Sequence, residues 1–200
     1  MAPLNFIAAL YNEEAEVEDL IDHISPYVEG LYFADDGSTD KTRLLLLTSP
    51  QYPDKVHLRA IEHTGLCEVA RIKALETVPD GSWVLMLDAD ERFAPGVLED
   101  VKAWLRSIDS TKYTHVYFFQ EEIIDGVSVR AFQKVKLFRK DSAHLPEMIH
   151  ADPQFDGDGI YKGEWVVFHR KTSDKQKQRE REYLDTYQKL FEEGKIDDRK

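Results

Sequence analysis

Cysteine is nearly absent: Cys67 is the only one in 200 residues. No intrachain disulfide can form, so nothing in the chain requires an oxidising compartment. Long apolar runs are missing too. Segments such as Trp83–Leu87 fall far short of the ~20 residues that a membrane span needs. Met1–Asn5 has neither a basic n-region nor an apolar h-region, so no secretory signal is expected and the default expectation is cytoplasmic. Positive charge is scarce, with 26 Lys+Arg against 38 Asp+Glu and a formal net charge of −12. That balance argues against nucleic-acid binding, where a basic face supplies most of the affinity. There is also no G-x-G-x-x-G after the first strand and no G-x-x-x-x-G-K-[ST] anywhere. A dinucleotide-binding domain or P-loop ATPase is disfavoured. Any phosphate must be held by metal and by basic side chains instead.

What is present is an ordinary soluble composition, 42% hydrophobic and 32% charged, at a length that suits one domain. Leu4–Leu10 reads as a buried parallel strand. Asn12 follows as a candidate N-cap, with Glu13 and Glu14 in a first helical turn. Val17, Leu20, Ile21, Ile24 and Val28 recur at helical spacing. Leu31–Ala34 is a second strand, running into Asp35-Asp36-Gly37-Ser38-Thr39-Asp40 and a helix around Leu44–Leu47. Val56–Ile61 is a third strand, 68–78 a helix, and Trp83–Leu87 a fourth strand ending in Asp88-Ala89-Asp90-Glu91. Pro95 is placed at the start of the next helix. Strand and helix alternate four times in 108 residues, which predicts a parallel sheet with helices on both faces.

The rhythm then changes. Val116–Phe119, Val127–Phe132 and Val135–Phe138 look like antiparallel strands, with Gly126 in a turn. The stretch Asp141–Gly159 has little periodicity and reads as an active-site or acceptor loop. Trp165–Phe168 is a last short strand. Tyr183, Leu184, Tyr187, Leu190 and Phe191 mark one face of a terminal helix. No internal repeat or low-complexity segment is present.

Three acidic clusters stand at predicted strand ends: Asn12-Glu13-Glu14, Asp35-Asp36 and Asp88-Ala89-Asp90-Glu91. Alone, each is a solvated turn with capping acids. Together they share the edge where open parallel sheets bind ligands. Converging like charges need compensation, and a divalent cation with a phosphorylated ligand supplies it. A basic segment follows His169: Arg170, Lys171, Lys175, Lys177, Arg179 and Arg181, with only Asp174 and Glu180 among them. It reads either as a mobile strap over an anionic ligand or as the solvated face of a helix. His23, His57, His63, His115 and His144 suggest only surface or structural roles.

The order and spacing of these motifs resemble the family 2 glycosyltransferases, which have the GT-A fold. The resemblance rests on Ala8–Glu14, Asp35–Thr42, Glu68–Leu75 and Leu87–Arg92, over roughly residues 4–98. The part from Lys134–Arg139 through His150 and His169 resembles the branch related to lipopolysaccharide-core glucosyltransferases. The implied architecture is a mostly parallel α/β sheet with a small antiparallel acceptor-side portion and a C-terminal helix. A single domain would span 1–170, with a nucleotide-sugar half at 1–108 and an acceptor half at 109–170. Residues 171–200 would form the strap and helix.

The resemblance also implies roles. Backbone at Ala8 and Leu10 and the Asp36 carboxylate would hold a nucleobase, uracil first. Glu13 would lie near ribose or base, Arg71 near base or diphosphate, and Asp88 near ribose or metal. Asp90 and His169 would bind Mn²⁺ or Mg²⁺. Arg170, Lys171 and Lys175 would meet the diphosphate. His150 stands where relatives often show His-Glu, with Ala151 in place of the Glu. Asp152 is then the expected general base, with Glu147 second. Lys73 stands where the family commonly has Asn. The expected reaction is inverting transfer from a nucleoside diphosphate sugar to a glycan, lipid-linked glycan or protein hydroxyl, with peripheral membrane contact where the acceptor is a lipid. Two alternatives remain open at this point: a sugar-nucleotidyltransferase, and a non-catalytic sugar-nucleotide or glycan-binding module.

Overall fold

Four apolar segments lie side by side as parallel strands: Leu4–Leu10 (β1), Leu31–Asp35 (β2), Val56–Ala60 (β3) and Trp83–Met86 (β4), in the order β3-β2-β1-β4. They belong to a computed structural model that describes residues 2–48, 53–147 and 152–192. The helices between them are Val17–Ile24 (α1), Thr42–Thr48 (α2), Cys67–Leu75 (α3) and, after β4, Val97–Leu105 (α4). Alternation along each strand serves two cores. Phe6, Ala8, Leu10, Leu31, Phe33 and Leu85 pack against α1 and α4. Ile7, Tyr32, Ala34, Val84 and Met86 pack against α3. Helices therefore cover both faces, and the carboxyl ends of β1, β2 and β4 share one edge.

The remaining strands are Glu91–Phe93 (β5), His115–Ile124 (β6), Val127–Arg139 (β7) and Gly159–Lys171 (β10), with a two-residue pair, Ala143–His144 (β8) and Gln154–Phe155 (β9), forming a separate small sheet. The main sheet continues β4-β7-β6-β10-β5. β7 is antiparallel to β4 and β6, β10 runs parallel to β6, and β5 is antiparallel to β10. The sheet is strongly curled. β5 stands four strand positions from β4, ~19 Å in a flat sheet, yet five residue steps join Met86 to Glu91 and reach at most ~18 Å. The Lys136 ammonium of β7 also touches the Glu91 carboxylate of β5 across the two intervening strands. Among the described residues no helix is long and apolar enough to cross a membrane. The final helix, Ser173–Glu192 (α5), follows β10 directly.

Several expectations shift. Asn12 caps no helix. It sits at φ +54°, which Asn tolerates, and its Oδ1 accepts from the Thr39 N–H at 2.9 Å. The turns after β1 and β2 clasp each other: Asn12 N–H donates to Ser38 Oγ, Glu13 N–H to Thr42 Oγ1, Glu14 N–H to Asp40, and Lys41 N–H to Glu14. Helix α1 starts only at Val17. Helix α4 likewise begins after Pro95, because Gly96 at φ +86° turns the chain left-handed first. Only Leu46 of Leu44–Leu47 is fully buried. β7 is one long strand rather than two. β10 is thirteen residues rather than four. On α5, Leu184 and Tyr187 are exposed, so that part of its apolar face is unpacked.

Candidate functional site

At the carboxyl edge the chain neutralises much of its own acidity. Asp35, the last residue of β2, pairs with Arg43. Asp36 N–H donates to Leu10 O at 2.8 Å, which ties the two strand ends together. The Asp36 carboxylate is buried and fully engaged. Its Oδ1 accepts from Thr64 N–H at 2.7 Å and Thr64 Oγ1 at 2.9 Å, and its Oδ2 from Gly65 N–H at 3.0 Å. His63 Nδ1 lies 2.8 Å from the Asp36 carbonyl, and the His63 ring stacks on Tyr11 with centroids 4.3 Å apart. Gly37, at φ +76°, lets that loop come close: a Cβ there would meet His63 Cβ at 2.8 Å.

Beyond β4, Asp88 pairs with Arg71 of α3. Burial pushes the Asp88 carboxyl up. Arg71 reverses this, helped by Lys134, Lys136 and His169, and holds it well below the usual carboxylate range. The Asp88–Glu91 turn closes on itself: Glu91 N–H donates to Asp88 O, and Asp88 N–H to Glu91 Oε2 at 3.0 Å. Asp90 Oδ1 lies 3.0 Å from His169 Nε2 on β10. Burial raises the Asp90 carboxyl, and the hydrogen bond and charge of His169, with Lys175, bring it down overall.

The other side of the His169 ring meets Gln120, Glu91 and Glu122. Gln120 Nε2 is 3.2 Å from Nδ1, Glu91 Oε1 3.7 Å and Glu122 Oε1 3.9 Å. Glu122 is itself held by Arg130 and Lys171. Burial would raise its carboxyl, but those two cations bring it to about 2.

Lys136 is the least expected member. Val116 of β6 faces Leu137 of β7 and the next residue, Tyr117, faces Val135, so Lys136 is the extra residue of a β-bulge. A bulge re-aims a side chain, and this one sends the ammonium, 2% exposed, against the wholly buried Glu91. Burial pulls the Lys136 ammonium down, outweighing Glu91, which raises it. Glu91 Oε2 is thus doubly held, while its Oε1 is buried without a hydrogen-bond partner.

That unpartnered oxygen decides whether a metal fits. One ligand atom each from Asp88, Glu91 and His169 lies within 4.8 Å of the others. Two carboxylates and an imidazole, with Asp90 adjoining, are a donor set suited to a hard or borderline divalent cation.

Helix α5 crosses the mouth of this edge. Lys175 Nζ reaches Glu13 Oε2 at 3.0 Å and Asp90 Oδ2 at 3.5 Å. Ser173 anchors the helix start on Asp125. One end thus meets the acidic turn. Farther along, Thr186 lies against Gly65 in the loop that holds Asp36. The basic segment is therefore ordered as helix. Arg170 brings its backbone N–H to Asp90 O at 3.1 Å, while its guanidinium stacks over Phe168 instead.

The structure unites Leu10, Glu13, Asp36, Arg71, Asp88, Asp90, His169, Lys171 and Lys175 along one edge, with Ala8 buried in β1 behind them. The acceptor-side residues stand apart. Both ends of 141–159 are anchored at the opposite edge of the sheet: Lys140 N–H donates to Ser82 O, Thr114 N–H to Asp158 O, and Asp156 N–H to Ser142 O. Glu147 and Asp152 are exposed, and neither pairs with a donor-side residue among the described residues. His150 and Ala151 lie outside the described residues. Glu91, Lys136 and Gln120 escaped the sequence reading. Glu91 was visible within the acidic turn, but its strand pairs with a segment 70 or more residues later.

The family described as "Glycosyl transferase family 2" matches residues 6–182. The putative teichuronic acid biosynthesis glycosyltransferase TuaG of Bacillus subtilis is 32% identical over 100 residues, 48% of this chain and 39% of that protein. Among solved structures, S. aureus TarS 1-349 in complex with UDP superposes with a TM-score of 0.51 at 23% identity, over 65% of this chain and 38% of that one. The mannosyltransferase PcManGT from Pyrobaculum calidifontis, in complex with GDP-Man and Mn²⁺, gives 0.58 at 18% identity, over 84% and 57%. At these identities the structures speak for a shared GT-A fold. The matched part covers less than two thirds of each relative's own length.

Proposed function

The chain belongs to glycosyl transferase family 2, and from that premise we propose that it transfers a sugar from a nucleoside diphosphate sugar, UDP-linked as first candidate, to a hydroxyl of a glycan, lipid-linked glycan or protein. The carrying observation is the Asp88–Glu91–His169 group with its unpartnered buried oxygen, set between Arg71 and the Lys175 end of α5. Asp88, Glu91 and His169, with Asp90, would hold a Mn²⁺ or Mg²⁺ ion, which would supply positive charge for the departing diphosphate. Lys175, which reaches Glu13 and Asp90, turns to the diphosphate when the donor brings its own negative charge. Lys171 backs it from Glu122.

At the other end, Asp36 faces the nucleobase. A carboxylate offers about four acceptor sites; Thr64 and Gly65 fill three of them, and His63 Nδ1 lies 3.2 Å from Oδ2. A base N–H therefore displaces one of these neighbours, and the loop 63–65 is the part that gives way. Asp152 is the proposed acceptor base and Glu147 the second choice. That choice comes from the sequence resemblance; the segment is anchored at the opposite edge of the sheet, so the role requires it to reach the donor edge when the acceptor is bound. A base opposite the diphosphate makes the attack in-line and inverting.

The test is a donor panel that reads released nucleoside diphosphate, with and without EDTA, over a broad set of acceptors. Metal-dependent release of UDP supports the proposal. Release of pyrophosphate would make the chain a nucleotidyltransferase, and tight donor binding with no turnover on any acceptor would make it a binding module.

A further inference from the structure

Side chains of Arg130-Ala131-Phe132-Gln133-Lys134 on β7 alternate across the sheet. Pairing with β6 fixes their sides: Arg130 stands opposite Glu122, Phe132 opposite Gln120, and Lys134 opposite Phe118. Glu122 and Gln120 face His169. The row Arg130, Phe132, Lys134 therefore lies on the face that carries the candidate metal group. Burial agrees, because Phe132 and Lys134 are half-buried while Ala131 and Gln133 are exposed.

Packing does not account for this row. Phe132 belongs to neither hydrophobic core, and the Arg130 guanidinium lies over its ring, 5.0 Å from the centroid. Arg130 is held by Glu122. Lys134 forms no ion pair among the described residues, yet it stands close to the acidic turn: burial raises the Asp88 carboxyl, and after Arg71 the Lys134 charge does most to lower it. β7 meets β4 only at 137–139. Among the described residues no strand covers that edge of β7 from Val127 to Lys134, so the row borders an open rim.

Strand order says what arrives there. Asp36 follows β2, Asp88 follows β4, and β7 is the next strand beyond β4. A donor with its base at Asp36 and its diphosphate at Asp88 points its sugar towards β7. In-line attack brings the accepting hydroxyl from the side away from the diphosphate, which is the side of Phe132 and Lys134.

We infer that Phe132 and Lys134, flanked by Arg130, form the acceptor subsite, and that the acceptor is an anionic glycan. A sugar ring lies against Phe132, and a phosphate or carboxylate of the same glycan meets Lys134. The inference rests on the donor reading above and adds the acceptor class to it. An aromatic ring has a negative face, which attracts the polarised C–H groups of a sugar. A lysine ammonium is a compact charge with three donors, so it suits either anion. Arg130 already has Glu122, which leaves Lys134 as the cation of the row for the ligand.

The experiment is saturation-transfer NMR titration of the full chain, saturated with UDP and Mn²⁺ so that the donor side is occupied. The probes are glucose 1-phosphate, glucuronic acid, methyl α-glucoside and inorganic phosphate. At least one of the two anionic sugars should bind about tenfold more tightly than methyl α-glucoside, the effect of one charge-assisted hydrogen bond. Which of them does so identifies phosphate or carboxylate as the anion. Lys134→Met should erase that preference and Lys134→Arg should retain it. Phe132→Leu, of unchanged thermal stability, should weaken all three sugars and leave phosphate alone. UDP affinity by calorimetry should stay the same in every variant. No binding of either anionic sugar by wild type, equal binding of neutral and anionic sugars, or phosphate binding as tightly as glucose 1-phosphate overturns the inference. A Lys134→Met variant that loses UDP affinity instead would assign Lys134 to the donor and overturn it too. If wild type binds no UDP, the donor reading fails, and the same titrations in EDTA still decide whether Lys134 and Phe132 hold an anionic sugar.

Discussion

Replacing Lys136 by methionine removes one ammonium and almost no volume. The structure makes the consequence severe. Glu91 is wholly buried and Lys136 only 2% exposed, so no water can take the place of the lost partner. The Glu91 carboxylate keeps a single donor, Asp88 N–H at 3.0 Å. Breaking a buried ion pair from one side costs about 3–5 kcal/mol, against a typical total of ~5–15 kcal/mol. With a urea slope of ~2 kcal/mol/M, the midpoint should fall by about 2 M. Replacing both partners, Lys136→Met with Glu91→Leu, removes the stranded charge and should recover most of the loss. Chemical denaturation of the two variants beside wild type measures this. A single variant within about 1 kcal/mol of wild type, or a double variant as unstable as the single, would refute the reasoning. The double variant should still bind metal poorly, because Glu91 belongs to the turn that carries Asp88 and Asp90.

Replacing Lys171, Lys175 and Lys177 by Gln should weaken donor affinity, and the deficit measured by titration should shrink at high salt as charge attraction is screened; unchanged kinetics would make the basic helix a solvated face. Asp152→Asn should leave donor and metal binding nearly intact and lower transfer by roughly 10²–10⁴-fold, with Glu147→Gln costing much less; normal turnover in both would place the base outside 141–159. Glu122 has a depressed folded-state pKa of about 2, so its share of stability is present above its unfolded value and is lost as pH falls from about 4.5 towards 2. With Arg130 65% exposed, solvent screening limits that share to about 1 kcal/mol. Acid titration of Glu122→Gln should lack that part of the slope, and a profile matching wild type would show the pair to be inert.

The parallel half of the fold was legible because its strands bury both faces and read as apolar runs, and because turn acids mark their ends. Asp36, Asp88 and Asp90 stood out in those turns, whereas Arg71 and His169 entered only through the family resemblance. Other features depend on contacts that no local pattern carries. β5 is three residues long and exists only by pairing with β10. Lys136 reads as a polar interruption of a strand, and only the bulge opposite Val116 and Tyr117 turns it inward. Gln120 lies in a strand whose alternation says which face it occupies but not that His169 lies there. Glu14 stood in one of the acidic clusters, whereas with Asp40 it fastens one turn to the other. The long reach of β10 was hidden by Gly159, Gly163 and a run of polar residues, where pairing with β6 overrides local propensity.

The central claim is that one edge of the sheet holds a divalent cation and a nucleoside diphosphate together. Isothermal titration of UDP into the full chain, with Mn²⁺ and then with EDTA, tests it most directly. Binding with Mn²⁺ that disappears in EDTA, and disappears equally in Asp90→Ala and His169→Ala of unchanged thermal stability, is the predicted result. UDP binding of the same strength in EDTA, or full binding in either variant, would contradict it.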